Sequence, residues 1–186
     1  SKCIGLENLI INFERSSLIK KKNCLKIDLD GIAEGYAISL MLLKFKEYGI
    51  KDVLINFGGN VSTLSYKTKW EISIRNPQYI YSINSTYDLN NLSVSTSSQY
   101  SQLIKKNDLI FSHILDPIKK TLKPKENISF SVIGEDPIYA DAISTALQAM
   151  PLEEALAYLK KTNNIKALVL STDENMKTEV LFNNFE

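Results

Sequence analysis

The sequence predicts an α+β fold, in which a mostly antiparallel sheet carries inserted helices. Strand-like segments follow one another in hairpin-like runs, and segments with helical spacing of apolar residues interrupt them. The chain has 186 residues, of which 44% are hydrophobic and 23% charged, as is usual for a globular protein. We therefore expect one domain over residues 1–186.

The first half is predicted to contain five strands and one long helix. Apolar residues recur at helical spacing over 30–49, and Gly49 is a typical helix end. The pair Gly58 and Gly59 predicts a tight turn or a backbone that another group approaches closely. The five strands are expected at 4–13, 24–29, 52–57, 61–66 and 70–75. A polar segment separates the first of these strands from the second.

The second half is predicted to contain two helices and a closing hairpin. Asp136 can cap the helix over 136–150, where Pro137 suits the first turn, and a second helix follows over 151–162. The segment 118–127 is polar and lysine-rich, which indicates a loop. Strands are expected at 86–89, 92–96, 111–117, 128–134, 166–171 and 178–183.

Charge, hydropathy and cysteine spacing argue against a nucleic-acid-binding protein, a membrane-spanning protein and a cysteine-based metal site. A formal net charge of +1 gives no overall field that would favour nucleic acid or membrane lipid as a partner. No segment approaches the ~20 apolar residues of a membrane-spanning helix, so no transmembrane segment is expected. Cys3 and Cys24 do not form a metal-binding pattern, and they could pair or remain free.

Asp141 and Thr145 are the first candidates for chemistry. They are four residues apart in a helix that is otherwise largely apolar, so they share one face, with Ser144 adjacent. Carboxylate and hydroxyl oxygens suit a hard cation such as magnesium. The alternative is that Asp141 only sits near the helix N-terminus, where the helix dipole favours an acid.

The segment 28–37 combines acidic residues with glycines at a strand-to-helix junction. Gly31 would let a ligand or an ion approach main-chain groups. The alternative is a helix capped by Asp30 with Glu34 in its first turns. A G-x-x-x-G spacing alone is too weak to indicate a dinucleotide-binding motif.

His113 is the sole histidine of the chain and lies before an Asp-Pro turn. It could bind a phosphate or an aromatic ring, or act as an acid or base, or be purely structural. One histidine cannot build a histidine-rich zinc site, and no G-x-S-x-G nucleophile elbow is present.

These signals occur together, in six blocks that follow a fixed order. The blocks are DLDGIAEGYA, NFGGN, WEISIRNP, SVSTSSQY, SHILDP and SVIGEDPIYADAIST. Together they resemble the FAD:protein FMN transferase (ApbE-like) family over about residues 4–182. The resemblance implies the ApbE-like α+β fold and a single domain that forms the metal-side, catalytic portion of a flavin transferase.

The resemblance also implies which residues form the site. The implied magnesium ligands are the main-chain oxygen of Gly31 and the side chains of Asp141, Ser144 and Thr145. The implied FAD-binding residues are Asp28, Glu34, His113 and Leu115, of which Asp28 and His113 are the candidate catalytic groups.

The activity that the resemblance implies is transfer of FMN from FAD, through its phosphate, to a serine or threonine of an acceptor protein, with release of AMP. Magnesium is the implied cofactor, and FAD and the acceptor protein are the implied partners. The alternatives are an FAD pyrophosphatase that yields FMN and AMP, and a non-catalytic relative that binds flavin or a partner protein. The family usually works outside the cytoplasmic membrane as a lipoprotein.

This sequence departs from the family pattern at three places. The loop after SHILDP reads IKKTLKP, and Ser98 replaces a glycine. The family also carries a long N-terminal segment before the first block, which supplies part of the FAD pocket. We therefore expect this chain to represent the C-terminal portion or a shortened member, with weak transferase activity on its own.

Overall fold

The computed structural model describes residues 3–77, 81–99 and 103–185. In these residues the chain forms thirteen strands, three α-helices and a short 3₁₀ helix at Leu6–Asn8. The strands are β1 Leu9–Asn12, β2 Ser17–Lys20, β3 Val53–Phe57, β4 Asn60–Leu64, β5 Trp70–Arg75, β6 Ile83–Leu89, β7 Ser93–Ser98, β8 Leu103–Lys106, β9 Leu109–Asp116, β10 Thr121–Pro124, β11 Ile128–Gly134, β12 Lys166–Thr172 and β13 Thr178–Asn183. The helices are α1 Asp30–Glu47, α2 Pro137–Ala149 and α3 Leu152–Lys161.

A six-stranded sheet with the order β13-β12-β11-β7-β4-β3 forms the centre of the fold. All of its neighbouring strands pair antiparallel. Two hairpins, β1-β2 and β5-β6, and a three-stranded sheet with the order β10-β9-β8 surround it. The predicted α+β class, with a mostly antiparallel sheet and inserted helices, is confirmed.

The central sheet has an apolar core on each face. Successive side chains of a strand point to opposite faces, so Phe130 and Val132 of β11 pack with α2 and α3. Ile133, one position further, joins the core on the other face, which includes Ile72 and Leu89 of the β5-β6 hairpin. This packing fixes α2 against the centre of the sheet.

The two long helices begin in different ways. Asp136 accepts a 2.8 Å hydrogen bond from the main-chain N–H of Ile138, and Pro137 occupies the first turn of α2, as predicted. In α1 the alternative of a cap at Asp30 is wrong, because Asp30 is the first helical residue. The side chain of Asp28 instead accepts a 2.9 Å hydrogen bond from the main-chain N–H of Asp30.

Two local predictions are wrong for the same physical reason. Residues 24–29 form no strand, and β2 lies earlier, inside the segment interpreted as polar and irregular. The predicted loop at 118–127 contains β10. A strand needs a partner strand. β2 pairs with β1 and β10 pairs with β9, and the local sequence does not reveal either pairing.

Cys3 and Cys24 form a disulfide with their Cα atoms 5.6 Å apart. The bond ties the segment that precedes the β1-β2 hairpin to the segment that leads into α1. Across the described ranges, none of the helices is both long enough and apolar enough to cross a bilayer.

Candidate active site

The N-terminal half of α1 lies directly against α2, and two glycines allow this contact. A Cβ on Gly35 would lie 2.4 Å from the main-chain oxygen of Pro137 and 2.8 Å from Cβ of Asp141. A Cβ on Gly31 would lie 2.9 Å from Cγ2 of Thr145. The G-x-x-x-G spacing therefore serves a close contact between two helices, which brings Gly31, Asp141 and Thr145 together.

Asp141 is a nearly buried carboxylate, with 6% of its surface exposed. Its Oδ2 accepts a 2.8 Å hydrogen bond from the main-chain N–H of Gly35, and its Oδ1 lies 3.4 Å from the Ser95 hydroxyl. None of the ion pairs among the described residues includes Asp141. A buried carboxylate with hydrogen bonds but without a cation is costly, so a bound cation would stabilise it.

Serine and threonine hydroxyls form a layer next to Asp141. The Ser144 hydroxyl is fully buried, lies 3.1 Å from the hydroxyls of Ser95 and Ser97, and donates to the main-chain oxygen of Asp141 at 3.0 Å. The Thr145 hydroxyl lies 3.1 Å from that of Ser97. Asp141 and Thr145 line the adjacent cleft, whereas Ser144 lies behind them.

Glu34 is the group that approaches the glycine turn between β3 and β4. A Cβ on Gly58 would lie 2.1 Å from Oε1 of Glu34, and the φ of +63° at Gly58 also favours glycine. Oε2 of Glu34 accepts a 2.8 Å hydrogen bond from Nδ2 of Asn60. Burial, followed by the negative charge of Asp141, raises the pKa of the Glu34 carboxyl above its usual value.

A cleft of about 1330 Å³ opens where these elements meet. Its walls include the apolar side chains of Ile72 and Ile74 from β5. The ionisable residues that line it are Asp28, Asp30, Glu34, Glu71, Arg75, His113 and Asp141. Carboxylates outnumber the basic groups, so a bound phosphate ester would need added positive charge close to it.

The structure brings the predicted site residues onto this one cleft, except for Ser144. His113 and Leu115 are exposed on β9 and line the cleft, and Asp28 lines it from the segment before α1. Gly31, Glu34, Asp141 and Thr145 line it from α1 and α2. The 28–37 junction, His113 and the 136–150 helix therefore meet at this cleft.

The donor set fits a hard cation. Asp141 supplies a carboxylate, Thr145 a hydroxyl, and Gly31 lies against Thr145 with its main chain. Oxygen donors of these kinds are the ones that magnesium takes from proteins. In the described part of the chain, no three His, Cys, Asp or Glu side chains cluster, so a transition-metal site of that type is not found there.

Asn60 and Ser95 lie beside carboxylates of the site, and their position there was not predicted from the sequence. Val61 of β4 pairs with Val94 of β7, and this register sets Asn60 opposite Ser95. Both side chains are buried, and both contact carboxylates of the site. Serines at alternate positions of SVSTSS were the available signal, because they share one face of a strand.

Comparisons with known proteins agree with this geometry. The chain is 24% identical over 185 residues to the FAD:protein FMN transferase of Haemophilus influenzae, covering 95% of this chain and 53% of that protein. It is 26% identical over 171 residues to the FAD:protein FMN transferase of Klebsiella pneumoniae, covering 91% of this chain and 53% of that protein. The chain thus spans about half the length of the curated relatives that it matches.

The solved structure of the flavinyl transferase ApbE from Pseudomonas stutzeri, in its apo form, superposes with a TM-score of 0.78 at 26% identity. The superposition covers 96% of this chain and 56% of that one. Residues 1–169 match the sequence pattern of the ApbE family. This match covers most of the chain, which therefore belongs to the ApbE family.

Proposed function

We propose that this chain carries the site for transfer of FMN from FAD to a serine or threonine hydroxyl of an acceptor protein. The observation that carries the proposal is the convergence of Asp28, Glu34, His113 and the Asp141–Thr145 pair on one cleft. The names of the relatives describe this activity in those proteins, and the shared family supports it here.

The reaction replaces the phosphoanhydride bond between FMN and AMP with a phosphoester bond between FMN and the acceptor. The acceptor Oγ attacks the phosphorus of the FMN half of FAD, and a new P–O bond forms. The bond from that phosphorus to the bridging oxygen breaks, and AMP leaves with the electron pair. The hydroxyl proton passes to a base. Such a transfer depends mainly on alignment and on charge neutralisation.

We assign magnesium binding to Asp141, Thr145 and the main-chain oxygen of Gly31. Ser144 supports this set from behind, through its hydrogen bond to the main-chain oxygen of Asp141. When bound, magnesium supplies positive charge to the pyrophosphate oxygens. The excess of carboxylates along the cleft supports this assignment, because the anionic substrate would otherwise be repelled.

Asp28 and His113 are the proposed catalytic groups. Asp28 is exposed at the cleft, where its carboxylate can accept the hydroxyl proton of the acceptor. Glu34 is the alternative base, because its raised pKa brings it closer to the pKa of an effective proton acceptor at neutral pH. His113 can hold a phosphate oxygen or stack on the flavin, and Leu115 offers it an apolar surface.

We further propose that the protein works outside the cytoplasm, as a lipoprotein like its family. The Cys3–Cys24 disulfide supports an oxidising compartment. The proposed partners are FAD and an acceptor protein that presents a serine or threonine to the cleft. The net charge of +1 and the acidic cleft give nucleic acid no electrostatic attraction.

The test incubates the protein with FAD, magnesium and candidate acceptor proteins. Covalent flavin is measured by in-gel fluorescence, and AMP and FMN by chromatography. We expect magnesium-dependent AMP release that Asp141→Ala and Asp141→Asn each lower by about 100-fold, because the pyrophosphate charge goes uncompensated. Glu174→Gln, an exposed residue in the turn before β13, is the matched control and keeps the wild-type rate.

The products separate the proposed activity from its alternatives. Flavin attached to protein together with AMP supports the transferase. Free FMN and AMP without protein-bound flavin would indicate an FAD pyrophosphatase instead. FAD binding without any AMP release would indicate a non-catalytic flavin-binding relative.

A further inference from the structure

Asn60 connects two carboxylates of the cleft through one buried amide. It is 6% exposed and lies on β4 directly opposite Ser95, which is 3% exposed on β7. Its Nδ2 donates to Oε2 of Glu34 at 2.8 Å. Its Oδ1 accepts a hydrogen bond from the Ser95 hydroxyl. The contact with Glu34 fixes which end of the amide faces Ser95, because a carboxylate accepts hydrogen bonds and cannot donate them.

The Ser95 hydroxyl has a single proton and several acceptors around it. Its Oγ lies 3.1 Å from Oγ of Ser144 and 3.4 Å from Oδ1 of Asp141, in addition to its contact with Asn60. A hydroxyl donates one hydrogen bond. Because the amide oxygen of Asn60 faces Ser95, that proton is directed to Asn60 and away from Asp141.

The direction of the Ser95 hydroxyl proton decides which lone pairs of Asp141 are available. Oδ2 is engaged by the main-chain N–H of Gly35 at 2.8 Å. Throughout the described residues, Ser95 is the only donor within hydrogen-bond distance of Oδ1. With the Ser95 proton on Asn60, Oδ1 keeps its lone pairs for another partner.

We propose that Asn60 is a positioning residue that holds the Ser95 proton away from Asp141, so that Oδ1 stays available to a divalent cation. The inference rests on the metal site of the proposed function. Without Asn60, the Ser95 hydroxyl turns to Oδ1, where its proton competes with the cation for the same oxygen. Hydrogen bonds to a charged acceptor are the stronger kind, so this competition is substantial.

The test measures binding of Mn²⁺ alone, by isothermal titration calorimetry, to the purified protein and its variants. We expect Asn60→Ala to weaken Mn²⁺ binding by about tenfold, the scale of one hydrogen bond to a charged group. Asn60→Leu, which fills the space of the amide, should weaken Mn²⁺ binding equally. This variant replaces Asn60→Ala in the test if the alanine variant does not fold. Ser95→Ala alone should bind Mn²⁺ as the wild type does.

The decisive variant combines Asn60→Ala with Ser95→Ala. It lacks the competing proton, so Mn²⁺ binding should return to within about twofold of wild type. A merely structural role for Asn60 predicts the opposite, because the double variant loses more buried contacts than either single one. Ser62→Ala is the matched control, since it removes a buried β4 hydroxyl bonded to Ser93 at 2.6 Å, and among the described residues Ser62 makes no hydrogen bond to Asp141.

Two results would overturn the inference. One is Asn60 variants that bind Mn²⁺ as tightly as wild type, and the other is a double variant that stays as weak as Asn60→Ala. Asp141→Ala separates these results from a failure of the proposed function. If wild type binds Mn²⁺ no better than Asp141→Ala does, the proposed metal site is wrong, and this inference falls with it.

Discussion

The main-chain N–H of Gly35 donates a 2.8 Å hydrogen bond to Oδ2 of Asp141, across 106 residues of sequence. The bond is buried, and it joins the first turns of α1 to the helix that carries the proposed metal ligands. It exists because Gly35 has no Cβ to separate the helices. The distance between α1 and α2 therefore sets the orientation of the Asp141 carboxylate.

Gly35→Ala should separate these two helices. Alanine favours a helix by ~1 kcal/mol over glycine, but its Cβ would lie 2.4 Å from a main-chain oxygen that cannot move alone. We expect a net loss of about 1–3 kcal/mol in the free energy of unfolding, measured with urea. Ser39→Ala in the same helix is the control and should change it by less than about 0.5 kcal/mol. A more stable Gly35→Ala protein would contradict the close contact.

Glu34→Gln should stabilise the protein at neutral pH. Burial and the charge of Asp141 raise the Glu34 pKa above 4.5, so its contribution to stability is fully present below pH 4.5 and is lost as the pH rises through the folded-state value. Glutamine keeps an acceptor for Asn60 and carries no charge. The gain in melting temperature over wild type should therefore be larger at pH 7 than at pH 4, and the reverse order would show that the pKa is not raised.

Asp52→Asn should remove part of the acid sensitivity of the fold. Oδ1 of Asp52 accepts hydrogen bonds from the main-chain N–H groups of Thr68, Lys67 and Tyr66, at 2.8, 3.0 and 2.9 Å. These bonds lower the pKa of Asp52 from 3.8 to about 2. Its contribution to stability is present above pH 3.8 and is lost as the pH falls towards 2.

We expect Asp52→Asn to be less stable than wild type at pH 7 and to lose less stability between pH 4 and pH 2. Chemical denaturation at several pH values measures both effects. Asp108→Asn is the control, because the Asp108 side chain is 98% exposed. This substitution should leave the loss of stability between pH 4 and pH 2 unchanged. If Asp52→Asn loses as much stability between pH 4 and pH 2 as wild type does, the proposed role of these hydrogen bonds is refuted.

Reduction of the Cys3–Cys24 disulfide should destabilise the protein by roughly 3 kcal/mol, the loop-closure value for a separation of this size. Guanidinium unfolding with and without a reductant gives the difference. The double variant Cys3→Ser, Cys24→Ser should have the free energy of unfolding of the reduced protein, and reductant should not change it. Wild-type stability that is insensitive to reductant would mean that the bond does not constrain the unfolded chain.

Local sequence was sufficient where a residue acts on its own segment. The Asp136 cap and Pro137 located α2, and the spacing of Asp141 and Thr145 identified the face of α2 that lines the cleft. His113 was a candidate from the sequence, but only the family resemblance assigned it to the same site as these residues, because no local pattern indicates that it lies at the same cleft.

Features that depend on pairing across the chain were not predictable in this way. The helix contact at Gly35 and the register of Asn60 against Ser95 both depend on elements far away in sequence. The wrong strand at 24–29 has the same origin, since its apolar residues find no partner strand while Ser17–Lys20 finds β1. Partner choice is a property of the assembled sheet, and single segments do not encode it.

The order of strands in the central sheet has a consequence for folding kinetics. β7 lies between β11 and β4, so neighbouring strands come from distant parts of the chain, and the contact between the two helices of the cleft spans a still longer stretch of 106 residues. Such non-local topologies fold slowly, because chain entropy is lost before the contacts that offset it can form. The Asp141 site can form only after these long-range pairings are complete. Binding of the proposed cation by a refolding chain would therefore report the end of folding, and a chain stalled with unpaired strands should not bind it.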